Sequence, residues 1–175
     1  MIRELKFSIL TKRHADEIYR FVKGMLGDAM EAEDATQEIF LRLWKNLSNV
    51  RLLSTRAWLY RTARHHCIDL QRKRQAAHSP VYLDHASLPE LGTKDHEDPS
   101  RVADAAFLKK TIDAAVSDLP ETLKSVFLLY EISGLRYREI AETLNIPTNS
   151  VKVYLSRART KLQESLKEHH TWTNA

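Results

Sequence analysis

Cysteine occurs once in 175 residues, as Cys67, so no disulfide can close within the chain. Glycine and proline number four and five, too few for the many turns of a sheet protein of this length. No apolar run approaches the ~20 residues that carry a helix across a bilayer. The amino-terminal stretch MIRELKFSILTKRH has no long apolar core and no small-residue cleavage site, so it does not read as a signal peptide, and a cytoplasmic location is expected. What is present is 43% hydrophobic residues, with leucine, alanine, glutamate, lysine and arginine abundant. That mixture forms cores and favours helices, and the expected fold is all-α.

Charge divides the chain. Residues 1–78 net +6, residues 79–100 net −4 and residues 101–175 net +2, with histidine neutral. Two basic blocks around an acidic connector suit two modules that face a polyanion and a linker that a polyanion repels. Ordinary solvated helix faces would give similar totals. The connector, HSPVYLDHASLPELGTKDHEDPS, carries Pro80, Pro89, Gly92 and Pro99, which break any long helix. The expected architecture is therefore two small helical domains, 1–78 and 105–170, joined by a flexible linker over 79–104. In the first, Ile18, Phe21, Val22 and Met25 fall at the i, i+3, i+4, i+7 spacing of an amphipathic helix, and Ala32, Ala35, Ile39 and Leu43 form a second apolar stripe. A third helix fits 54–74, with Leu59, Ala63, His66 and Leu70 on one side. After the connector a helix ends near Ser133–Gly134, and two more follow at 136–144 and 149–167.

The last two helices have the outline of a helix-turn-helix, GLRYREIAETLNIPTNSVKVYLSRARTKL. Tyr137, Ile140, Ala141 and Leu144 form the inner face of its first helix, and Asn145 and Pro147 interrupt the helical run. In the second helix Val151, Leu155, Ala158 and Leu162 make the core stripe. The opposite stripe is Asn149, Val153 and Ser156, flanked by Lys152, Arg157 and Arg159. Arginine suits phosphates or guanine edges, and Asn149 and Ser156 suit base edges. A plain helical hairpin with a wet basic face is the bland alternative.

Two further stretches carry chemistry. Residues 28–38, DAMEAEDATQE, hold five acids and no base directly before Phe40, Leu41 and Trp44. Such a surface repels DNA and suits a basic protein partner, although Phe40 and Trp44, at i and i+4, also fit a core. Residues 56–74, RAWLYRTARHHCIDLQRKR, do the reverse. Trp58, Arg61, His65, Asp69 and Arg72 fall within an ~80° arc of one helix. Aromatic faces stack on unpaired bases for ~1–3 kcal/mol each while guanidinium groups hold the backbone, so this stripe suits single-stranded DNA. Core packing is the competing role for Trp58.

GDAMEAEDATQEIFLRLW, then RAWLYRTARHHCIDLQRKR, a polar linker, and the helix-turn-helix resemble, in order and spacing, the extracytoplasmic-function class of bacterial RNA polymerase sigma factors, over most of residues 15–165. The resemblance implies two helical domains, the second and fourth of sigma factors. It implies core RNA polymerase as partner, through the clamp helices of the largest subunit and the flap of the second-largest, together with promoter DNA and, commonly in the family, an anti-sigma factor. By position, Asp34, Gln37, Glu38 and Arg42 fall where the family docks on polymerase. Trp58, Arg61, His65, Asp69, Arg72, Lys73 and Arg74 fall where it handles the opened minus-ten element, and the helix-turn-helix falls where it reads the minus-thirty-five duplex. His65 stands where asparagine is common, which alters the group offered to an extruded base. Val153–Tyr154 replace a frequent Ser-Arg, removing one hydroxyl and one charge and leaving Val153 an apolar contact for a thymine methyl.

Two other function classes compete. A stand-alone helix-turn-helix regulator would bind operator duplex as a dimer without polymerase. A metal enzyme would draw on the eight histidines, but His65, His66 and Cys67 are consecutive, and adjacent helical residues point ~100° apart. No catalytic residue, metal or other cofactor is expected, and no membrane insertion.

Overall fold

The computed structural model describes residues 2–51, 54–77 and 99–173, and within them the regular structure is entirely helical. Helix α1 (Ile2–Leu26) ends at Gly27, whose φ of +78° is the left-handed geometry that lets its N–H reach back to the Lys23 carbonyl at 2.8 Å. Asp28 then starts α2 (Ala29–Asn46) by accepting the Glu31 N–H at 2.8 Å. Lys6 and Arg3, on the first turns of α1, serve the far end of α2. Lys6 Nζ donates to the Leu47 and Val50 carbonyls and Arg3 to that of Trp44, satisfying groups the helix itself leaves open. Helix α3 (Thr55–Ala77) closes the group.

The two expected apolar stripes of α1 and α2 are buried at every position. On α3 the inward stripe differs by rotation. Leu59 and Ala63 are buried as expected, but Tyr60, Cys67 and Ile68 complete the buried face, while His66 and Leu70 are only half-buried. Tyr60 meets Phe21 edge-to-face at 5.4 Å, and that aromatic contact turns the helix.

The second group comprises α4 (Pro99–Ser117), α5 (Glu121–Phe127), a single π turn over Leu128–Ile132, α6 (Tyr137–Leu144) and α7 (Thr148–Thr173). Residues 78–98, most of the expected linker, lie outside the described residues. Helix α4 begins at Pro99, inside the span expected to be linker, because proline breaks a helix only from its interior and is favoured at the first helical position. The π turn inserts an extra residue per turn and leaves both Leu128 and Leu129 buried. Asn145, at φ +55°, stops α6 in the left-handed conformation, and Ile140, Ala141, Val151, Leu155, Ala158 and Leu162 form the core of the helix-turn-helix.

The two groups pack on each other: α3 lies against α6, and α1 against α4 and the π turn. Gly24 in α1 marks one closest approach. A Cβ there would stand 2.7 Å from Leu128 Cδ2, so any larger residue would have to displace that leucine side chain.

Candidate nucleic-acid interface

On α2, Asp34 and Gln37 are exposed. One helical turn on, Glu38 accepts from Arg42 Nε at 3.0 Å. The hydrogen bond and charge of Arg42 hold the Glu38 carboxyl below its usual range, so the face stays anionic. Arg42 also reaches His66 Nδ1 at 3.2 Å, tying this face to α3. Burial, then the Arg42 charge, pushes the His66 pKa down. Leu41 is 52% exposed beside these residues. Its neighbours Phe40 and Trp44 turn inward: Phe40 is buried, and Trp44 packs edge-on to Phe7 beneath Arg3.

On α3 the basic stripe is divided. His65, Asp69, Arg72 and Lys73 are exposed. Arg74 is paired with Glu31 of α2. Trp58 is half-buried against the core, and Arg61 is occupied: its Nε donates to the Thr143 carbonyl at 3.2 Å and its Nη2 to the Glu142 carbonyl at 2.7 Å, both at the end of α6. The consecutive His65, His66 and Cys67 diverge, with His65 outside and Cys67 fully buried, where burial pushes the thiol up to about 12. Among the described residues no group of three or more histidine, cysteine, aspartate or glutamate side chains is placed to hold a metal ion, and no helix is long and apolar enough to cross a membrane.

On α7 the stripe opposite the core is presented as the helical period requires. Asn149, Lys152, Val153, Ser156, Arg157 and Arg159 are all exposed. Arg159 is held by Glu131 at 2.7 Å and lies over the Tyr130 ring, while Tyr154 is half-buried. A shallow hollow of about 600 Å³ runs along this helix past Tyr137, Lys152, Ser156 and Arg159. It is open and lined by both polar and apolar side chains, Leu155 and Tyr137 among them, along one helix face available to a groove.

A fourth cluster has no counterpart among the residues singled out from sequence. Glu17 of α1 accepts from Arg56 at 2.9 and 3.0 Å and from the Tyr60 hydroxyl at 3.1 Å, and it pairs with His14. Arg56 goes on to the Ser133 carbonyl at 3.0 Å, and Arg64 bonds Ser125 Oγ at 3.0 Å and Glu121 at 2.9 Å. The signal in sequence is faint: Arg56, Tyr60 and Arg64 recur every four residues beside the apolar stripe, but nothing local announces Glu17. Burial alone would raise the Glu17 pKa, yet the hydrogen bonds and charges of Arg56 and His14 hold it below the ordinary 4.5. A carboxylate with a depressed folded pKa contributes stability that is complete above its unfolded value and is lost as pH falls through the folded one. The thermal midpoint should therefore drop as pH is taken below about 4.5. A Glu17→Gln chain, already missing the charge, should show a shallower fall, and an identical slope in both would count against the cluster.

The sigma-70 region 2 family matches residues 10–77, and the sigma-70 region 4 family matches residues 109–162. The chain is 32% identical over 172 residues to the ECF RNA polymerase sigma factor SigW of Bacillus subtilis, covering 93% of this chain and 89% of that one. It is 30% identical to the RNA polymerase sigma-H factor of Pseudomonas aeruginosa, covering 91% and 86%. It is 28% identical to the ECF sigma factor SigE of Mycolicibacterium smegmatis, covering 94% of this chain but only 63% of that longer relative. In three dimensions it superposes on the sigma factor RpoE of Bartonella quintana, solved with the anti-sigma factor NepR, at a TM-score of 0.71 and 21% identity, over 92% of this chain and 96% of that one. The two share a fold. These matches do not favour the stand-alone regulator. The chain belongs to the extracytoplasmic-function class of the sigma-70 family of RNA polymerase sigma factors.

Proposed function

We propose that this chain joins core RNA polymerase in the cytoplasm and directs initiation at a defined set of promoters, with residues 1–78 as polymerase-docking and minus-ten module, 79–104 as linker and 105–170 as minus-thirty-five module. The observation that carries the reading is the presence, in one chain, of an anionic exposed face on α2, an aromatic and basic stripe on α3 and an exposed groove-sized face on α7. Each face suits a different ligand. Asp34, Gln37, Glu38 and Arg42 meet a basic helical surface of the polymerase, the clamp helices of its largest subunit. Trp58, Arg61, His65, Asp69, Arg72, Lys73 and Arg74 hold the separated minus-ten strand. Melting costs about 1.4 kcal/mol per stacked step, which stacking on Trp58 and phosphate contacts offset in part. Asn149, Lys152, Val153, Ser156, Arg157 and Arg159 read intact duplex, positioned by the enzyme's flap. An anti-sigma factor is the natural regulator of such a chain.

Two helical turns of DNA span ~70 Å. A coil of 21 residues, the number between Ala77 and Pro99, averages ~25 Å but reaches ~70 Å when drawn out. Anchoring both modules on one enzyme makes the second DNA contact intramolecular and raises its effective concentration.

The test is transcription by core polymerase with and without the chain, with the RNA ends mapped. New, discrete start sites are expected, and their absence would refute the proposal. Glu38→Lys places a cation on the docking face and should weaken holoenzyme formation by at least tenfold in a binding titration, since like-charge juxtaposition costs several kcal/mol. Arg157→Ala should cost about 1–3 kcal/mol of discrimination at one position of the minus-thirty-five element. Unchanged selection across a set of mutated promoters would remove Arg157 from the reading surface.

A further inference from the structure

We propose that His66 is a positioning residue for polymerase docking: its neutral ring holds the Arg42 guanidinium in the arrangement the polymerase meets, and protonating the ring releases it. The inference rests on the functional reading of the α2 face above and adds how that face is held and why its strength depends on pH.

Arg42 is restrained from two helices. Its Nε donates to Glu38 Oε1 at 3.0 Å within α2, and its Nη2 meets His66 Nδ1 of α3 at 3.2 Å. A guanidinium carries only donors, so Nδ1 must accept and the ring proton must sit on Nε2. An imidazolium has no acceptor and adds a like charge. The contact therefore exists in only one protonation state of the ring. The two bonds leave 39% of the Arg42 side chain exposed, so a partner can still reach it. Fixing a long side chain before association removes part of the ordering cost that binding otherwise carries. The anchor itself is firm, because Cys67 and Ile68, which follow His66 on α3, are buried in the core.

The surroundings favour the neutral ring. Burial first, then the Arg42 charge, lower the His66 pKa from 6.5; Lys73 adds to them, while Glu38 and Asp69 pull the other way. Glu38, held below the ordinary 4.5 by its hydrogen bond from Arg42, stays ionised across this range. Acidification therefore opens the His66 end of the arrangement and leaves the Glu38 end closed. A histidine whose charged form the fold disfavours keeps its contact above its folded pKa and loses it as pH falls through that value. Docking should be at full strength near neutral pH and weaken below 6.5.

The test is a binding titration of the full chain with core polymerase at fixed salt, from about pH 8 to about pH 5.5. His66→Ala removes a hydrogen bond to a charged group and should weaken binding about three- to tenfold at neutral pH. His66→Gln supplies an amide oxygen that accepts from Arg42 but does not titrate. It should bind within about twofold of the parent at neutral pH and lack the parent's additional weakening in acid. In an Arg42→Ala background, His66→Ala should cause no further loss, since its effect passes through Arg42. An alanine variant as tight as the parent, an alanine loss that persists without Arg42, or a glutamine variant with the parent's pH profile would each overturn the proposal. Should His66→Ala fail to fold, the pH profile of His66→Gln decides alone. A parent chain that joins core enzyme at no pH refutes the docking reading itself, whereas one that joins it alongside equally tight variants refutes only the role of His66.

Discussion

Tyr60→Ala is expected to lower the unfolding free energy by about 3–5 kcal/mol, the cost of emptying a large aromatic site in a closed core. Tyr60 has no exposed surface, its ring meets Phe21 edge-to-face, and its hydroxyl donates to Glu17. The side chain therefore has both an apolar and a polar function, and the two separate experimentally. Tyr60→Phe keeps the ring and loses only the hydrogen bond, for about 1 kcal/mol. A domain of this size is stable by ~5–15 kcal/mol in total, so the alanine variant should unfold at much lower urea while the phenylalanine variant stays close to the parent. Equal midpoints for the two variants would mean that the ring contributes nothing beyond its hydroxyl, contrary to the packing described.

The second large effect concerns promoter opening. Trp58→Ala in the holoenzyme should reduce the stability of the open complex by about 1–3 kcal/mol, roughly five- to 150-fold, while duplex binding by α7 stays near the parent value. The side chain is half-buried, so part of its surface supports the core and part remains for a base. Permanganate reactivity of unpaired thymines measures opening, and a gel shift on an uncleaved duplex measures binding. Parallel loss in both assays would assign Trp58 to the core alone. Because the Arg61 guanidinium beside it donates to the α6 carbonyls in the chain by itself, the measurement belongs in the holoenzyme.

Much of the architecture was legible because helical periodicity is local. Ile18, Phe21, Val22 and Met25, or Val151, Leu155, Ala158 and Leu162, are buried because a helix period repeats every 3.6 residues and no distant residue is needed to know which side is apolar. The exposed face of α7 follows from the same period. Where prediction from local pattern missed, a distant partner intervened. The inward stripe of α3 rotates towards Tyr60 and Cys67 because Phe21, 39 positions earlier, supplies the ring that Tyr60 meets. Pro99 begins a helix where it was expected only to break one, since its effect depends on whether it stands at the first turn or inside. Phe40 and Trp44 follow the same logic. An i, i+4 aromatic pair beside an acidic run fits either a docking face or a core, and Phe7 and Arg3 of α1 decide for the interior at Trp44.

Local sequence alone set the helical class, the positions of most helices, the helix-turn-helix and the segregation of acidic, aromatic-basic and groove-facing surfaces, because each depends on residues within a few turns of one another. Which of those surfaces stands open and which is engaged was decided by tertiary structure. Glu17 meets Arg56 and Tyr60, Gly24 receives Leu128, and Arg61 meets the end of α6 across separations of 39 to 104 residues. Such contacts form only when helices pack, since charge and apolar area are summed along the chain but hydrogen bonds are made in space.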